Sequence, residues 1–215
     1  MFSAFERMVA MRYLRSRRQE GFISVIAWFS LLGIGLGVAT LIIVMSVMNG
    51  FRQELFARIM GLNGHVGVYN LVGGPLKDYD EVTRRVRAVP DVVTAGPMIE
   101  SQALVTANGI ASGAVVRGLR NADLQNRPML ANNIRDGSLD AVTGMNAVMI
   151  GRRMAEQYGL RVGDELTMIT PSFADTAMGV MPRSKIAQVA AIFDVGMYEY
   201  DNNFVYISFE LAQVL

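Results

Sequence analysis

Cysteine is absent from the 215 residues, and histidine occurs once, at His65. Such a chain can form no disulfide and no cysteine-ligated metal site, although missing cysteine does not argue against an oxidising compartment. One imidazole cannot build a histidine metal cluster, and it leaves no complete Ser-His-Asp constellation beyond what a single ring could serve. Its setting, Gly64-His65-Val66-Gly67-Val68-Tyr69, alternates like the start of a strand, which reads as a structural histidine. No glycine-rich loop carries the lysine of a phosphate site. The arginines are too scattered for a nucleic-acid face, so no nucleic acid is expected as a partner. An enzymatic reading finds no constellation to support it.

Charge is missing altogether from Gly21 to Phe51, between Glu20 and Arg52. At about 1.5 Å per residue, a helix over this run outspans a hydrocarbon core of roughly 30 Å. It predicts a membrane anchor over 21–51. A cleaved signal peptide is the competing reading, but the run exceeds an h-region of about 7–15 residues and no small-x-small site follows it. Residues 1–20 hold five arginines against two glutamates, leaving 15 basic and 17 acidic residues beyond the run. Excess arginine beside a first helix favours a cytoplasmic amino terminus, which would place 52–215 in the periplasm of a bacterium. In the leader, Phe2, Phe5, Met8, Val9 and Tyr13 recur at helical spacings, with Arg12 interrupting the face. They suggest either an interfacial helix in the inner headgroup layer or a solvated basic segment. Trp28 falls near the inner interface, where it could anchor the helix.

The anchor is longer than a bilayer needs, and Arg52–Arg58 suggests that the helix continues beyond the lipid. Gly33-Ile34-Gly35-Leu36-Gly37 imitates a nucleotide loop, but no strand precedes it and it lies in mid-membrane. Gly33 and Gly37 read instead as a small-xxx-small face for close helix packing, or as glycines tolerated in a lone helix. Leu41, Val44, Met45 and Met48 are candidates for contact with acyl chains.

About 150 residues follow, enough for one domain or two small ones. A strand is expected at His65–Tyr69 and a turn at Gly73-Gly74-Pro75. Asp78 would cap a helix from Tyr79 through Val86, with Glu81 completing a capping box and Pro90 ending it. Strands are expected at Val92–Thr94, Gln102–Ala107 and Ala114–Leu119, with Asn108-Gly109 as a turn, in parallel or mixed βαβ geometry. This first lobe covers about 62–120, and the polar stretch Asn121–Asn133 reads as a junction. A second lobe, about 145–215, opens with Ala147–Gly151 and a helix carrying Met154, Ala155 and Tyr158 that Gly159 ends. Strands Glu165–Ile169, Ile186–Phe193 and Phe204–Ser208 follow, and Phe209–Leu215 reads as a helix just begun. That stop predicts the amino-terminal portion of something longer, or a frame-truncated product, so the second lobe is expected to be incomplete. The fold class expected is α+β: one membrane helix, then a mixed α/β two-lobed domain. The link Thr170–Arg183 is longer than a tight hairpin needs, and its methionines and prolines suggest a protruding docking hairpin or a plain surface loop.

Several of these strings resemble the LolC/LolE family of lipoprotein-releasing permeases. They are Met11-Arg12-Tyr13-Leu14-Arg15-Ser16-Arg17, Met45-Ser46-Val47-Met48-Asn49-Gly50-Phe51, Val148–Ala155 and Leu160-Arg161-Val162-Gly163-Asp164. The resemblance covers essentially the whole chain. The Gly-Asp turn is shared with macrolide-exporter and FtsX-like permeases, which remain an alternative with another client. A single-anchor sensor or scaffold is a second alternative, disfavoured by a leader of about twenty residues.

The resemblance implies a permease subunit of an ABC transporter in the bacterial inner membrane, with a MacB-like periplasmic core. Such complexes release outer-membrane-directed lipoproteins and pass them to a periplasmic carrier, LolA. A separate ATPase, LolD, binds ATP and magnesium, so no cofactor is expected in this chain. Family permeases have four membrane helices, with a periplasmic domain between the first two, and pair with an identical or LolE-like permease. A hairpin hook in LolC-like members catches the carrier. The hook resembles Pro171–Pro182, with Met178 and Gly179 at the tip and Lys185 at a basic position beneath it. Ala177 stands where the LolC pattern commonly has proline, and Thr167 where another basic residue is expected. A LolC-type role, or a combined one in a homodimer, is favoured over a pure LolE role.

Overall fold

The computed structural model describes residues 4–15, 21–176 and 179–215, which fall into two compact units divided after Ala57. The first unit contains α1 (Ala4–Arg15) and most of α2 (Gly21–Asn63). At 1.5 Å per residue, α2 is about 65 Å long. From Phe22 it is long and apolar enough to cross a membrane, and residues 22–57 are exposed. The helix runs on through Arg52–Arg58, as its sequence suggests. Thr40 sits within it, its hydroxyl donating to the Leu36 carbonyl at 2.8 Å.

The second unit starts with the last turn of α2. Leu62 is fully buried there, and Gly64 (φ +77°) donates its N–H to the Met60 carbonyl at 2.8 Å. This left-handed glycine closes the helix, while the Arg127 guanidinium donates to the Leu62 carbonyl at 2.5 Å. Next, His65–Tyr69 is irregular, not the expected strand. Alternation supplies a face but no partner: Val66 and Tyr69 lie open to solvent, and Gly64 and Gly67 weaken extended structure. Gly73 and Gly74, both at φ +81°, make the expected turn.

Helix α3 (Tyr79–Arg87) forms without the expected capping box. Asp78 is left-handed (φ 56°), its side chain makes no capping bond among the described residues, and Glu81 pairs with Arg84. Val92–Thr94 is also not a strand: Val93 is 94% exposed, with no strand to pair against among the described residues. Strands β1 (Met98–Ala107) and β2 (Ile110–Leu119) join antiparallel through Asn108 (φ 49°) and Gly109 (φ 79°). Positive φ at both positions matches the twist of a two-residue hairpin. The pair is therefore a hairpin, and the βαβ unit expected of the first lobe does not form. The polar stretch Asn121–Asn133 holds two short helices, α4 (Asn121–Gln125) and α5 (Pro128–Ala131).

There follow β3 (Ile134–Gly137), β4 (Ala147–Gly151), α6 (Arg152–Tyr158), β5 (Glu165–Thr176), β6 (Gly179–Phe193), α7 (Tyr198–Asn203), β7 (Phe204–Ser208) and α8 (Phe209–Val214). Gly159 (φ 64°) ends α6, as expected. The strands form one sheet in the order β3-β6-β4-β7-β2-β1-β5, and β5 also pairs with β6, closing six strands into a ring with β3 appended. The segments expected as two lobes share this sheet. The pairs β2–β7 and β4–β6 are parallel, the others antiparallel.

Strands β4 and β7 are buried on both faces, which explains their unbroken apolar sequence. Val148, Ile150, Val205 and Ile207 join Val105, Val116, Met168 and the α6 side chains Met154 and Tyr158 in one core. Met149, Phe204 and Tyr206 turn the other way, to Leu62, Leu119, Leu124, Leu130 and Phe193.

Candidate partner-binding hairpin and apolar hollow

The link between Ile169 and Ile186 continues the β5–β6 ladder outward as an arm. Thr170 pairs with Arg183, Phe173 with Pro182, and Thr176 with Gly179. Pro171 and Ser172 have no counterpart, so the ladder carries a bulge at the root of the arm. Pro171 and Pro182, which lack N–H groups, flank that irregularity; prolines and bulges together bend a strand away from its neighbours. Of the hook residues suggested by sequence, Pro171 and Pro182 both lie at the root, Gly179 starts β6 near the tip, and Lys185 lies opposite Met168. Met178 lies outside the described residues.

The root of the arm has two unlike faces. On one, Arg183, Lys185, Leu211 and Val214 line a basic hollow of about 450 Å³ against α8. Arg183 donates from Nη1 to the Val214 carbonyl at 2.9 Å, and the buried Thr170 hydroxyl donates to the Leu215 carbonyl at 3.0 Å. Thr167 pairs with Ile186 and brings no charge to this strand pair.

The opposite face has a larger hollow, about 600 Å³, lined by residues of β1, β2, β5 and β6 and by Asn203. Leu104 is 44% exposed at its edge, and Gln102, Gly113, Val115, Ile169, Pro171 and Pro182 contribute to its wall. None of these except the prolines stood out in the sequence. Their signal was apolar residues at outward positions of alternating strands, which becomes legible only once strand pairing is known.

In α2, the six candidate residues Gly33, Gly37, Leu41, Val44, Met45 and Met48 fall within about 120° of one another at 3.6 residues per turn. All six are exposed, and a Cβ on either glycine would meet nothing within 4 Å. The helix thus carries a continuous apolar stripe with a smooth stretch at one end.

Buried polar groups lie elsewhere in the domain. Arg117 sits over the Phe204 ring at 4.6 Å and donates from Nε to Glu100 at 2.7 Å. Burial lowers the Arg127 pKa and raises that of the Tyr206 hydroxyl. Asn63 donates to the Tyr200 hydroxyl at 2.5 Å. Of these, Asn63 ties the end of α2 to α7, and Arg127, just before α5, bonds the Leu62 carbonyl. Among the described residues no group of three or more histidine or acidic side chains could hold a metal ion.

Residues 27–215 match the family described as the MacB-like periplasmic core domain. The chain is 33% identical over 214 residues to the lipoprotein-releasing system transmembrane protein LolC of Xylella fastidiosa, a match covering 99% of this chain and 51% of that protein. The LolC of Neisseria meningitidis serogroup B is 32% identical over 216 residues, 100% of this chain and 52% of that one. The lipoprotein-releasing system transmembrane protein LolE of Haemophilus influenzae is 24% identical over 196 residues, 89% of this chain and 47% of its own length. The chain spans about half the length of these relatives.

Proposed function

We propose, on the premise that this chain belongs to the MacB-like periplasmic core domain family, that it forms part of a permease subunit in an ABC transporter that releases lipoproteins. The observation that carries this reading is likeness to proteins named LolC along the whole chain, through the long apolar helix, the domain and the arm together. The clients are outer-membrane-directed lipoproteins of the bacterial inner membrane. The transporter hands them to a LolA-type periplasmic carrier. ATP and magnesium are handled by a separate LolD-type ATPase, and a second permease, identical or LolE-like, completes the membrane part. The arginine-rich leader supports a cytoplasmic amino terminus and a periplasmic domain.

The energetic task explains the parts. Withdrawing acyl chains from lipid costs about 0.8 kcal/mol per CH₂, so a lipoprotein with several chains leaves only if another apolar surface receives them. The stripe from Gly33 to Met48 is one wall of such a surface. The arm, with Gly179 near its tip, Pro171 and Pro182 at its root and Lys185 beneath, holds the carrier, and Met178 is assigned to the same contact. Replacing Met178 or Pro182 by Asp in the full-length protein should sharply reduce co-purification of the carrier. Undiminished capture would remove the arm from this role.

A further inference from the structure

We infer that the uncharged hollow where β1 and β5 part company is a seat for one fatty-acyl ester chain; the choice of occupant rests on the lipoprotein reading above. The hollow exists because the ladder stops early. Strand β1 pairs with β5 only from Leu104–Ile169 to Thr106–Thr167. Beyond Ile169 the bulge and the missing N–H of Pro171 take β5 away, while β1 runs on to Met98 beside β2. The lining stays open at Gly113, across β1 in β2, where an added Cβ would meet nothing within 4 Å.

The wall is the wrong kind for water. Outward positions of an alternating sheet are ordinarily polar, yet Leu104, Val115 and Ile169 stand there together with both prolines. Among the described residues no charged side chain lines the hollow, and Arg183 and Lys185 line the opposite face of the arm. An occupant bearing a phosphate or a free carboxylate would find no counter-charge. A neutral ester suits the wall: its chain meets the apolar side chains, and its carbonyl can accept from the carboxamides of Gln102 or Asn203. At about 600 Å³ the space lies within the range of roughly 300–1,000 Å³ typical of small-ligand sites.

The test uses the full chain in nanodiscs with a medium-chain monoacylglycerol carrying a diazirine on its chain, followed by irradiation and peptide mapping. Label is expected on residues 102–115 and 169–171 as well as on α2. Gly113→Leu, a substitution with open space around it, should lower the label on the hollow about tenfold while leaving that on α2 as an internal reference. Leu104→Gln, at an exposed position, provides a second variant with the same expected direction. Label confined to α2, or unchanged by both variants, overturns the inference. So does loss of carrier capture in Gly113→Leu with unaltered label, since the hollow would then hold a protein side chain. Carrier capture that still depends on Met178 while the hollow takes no label would leave the transporter reading standing without this seat.

Discussion

Gly151 lies where two backbones nearly touch. It ends β4, and a Cβ built on it would collide with the Asp201 backbone, which has no flexible end to move aside. Gly151→Ala should therefore destabilise the domain by about 1–3 kcal/mol, read as a lower thermal midpoint. Asp201 is itself buried, its Oδ1 accepting from the Val195 N–H at 2.9 Å. Burial pushes its carboxyl above the usual range, and neighbouring Asp194 adds to the shift. An acid raised in this way binds its proton more tightly folded than unfolded. Its contribution to stability is present while it is protonated and is lost as pH rises from the ordinary carboxylate range through the raised value. Asp201→Asn, which keeps an acceptor for Val195, should flatten the pH dependence of the thermal midpoint across that window. An unchanged slope would show that Asp201 does not set it.

Among the elements, the end of α2 is fastened most visibly by Leu62, fully buried among Leu119, Leu130 and Phe193. Leu62→Ala should cost about 2–5 kcal/mol in denaturant unfolding. The elements legible in the sequence were those that local chemistry determines. Asn108-Gly109 makes the expected turn, although the strands it joins form a hairpin and not a βαβ unit, Gly159 stops α6, and the apolar runs Ala147–Gly151 and Phe204–Ser208 are strands at the expected bounds. Where partners decide, the sequence misled or was silent. His65–Tyr69 and Val92–Thr94 have a strand-like composition but no neighbouring strand among the described residues, whereas Ile134–Gly137 is a strand because β6 lies alongside. Helix α7 was invisible because Tyr198–Asn203 is too short and polar to show a periodic face. The arm was recognisable as an overlong link, but its paired strands and the bulge beneath it depend on register, which pattern alone does not fix. The hollow was hidden for the same reason.

For the molecule as a whole, closure of the sheet binds distant parts of the sequence together. β2 and β4 share β7 as their common neighbour, so the ring is complete only when Phe204–Ser208 is in place. A chain cut after Asn203 should give no cooperative thermal transition and should elute as aggregates, while the 215-residue chain gives both a transition and a defined peak; equal behaviour would show the ring to be dispensable. The same dependence sets a timetable for biogenesis. A polypeptide made from its amino end delivers the first hairpin early, and that hairpin must wait, one flank bare, until almost ninety further residues have been added. During that interval the unpaired strand edge is open to mispairing with any other extended segment.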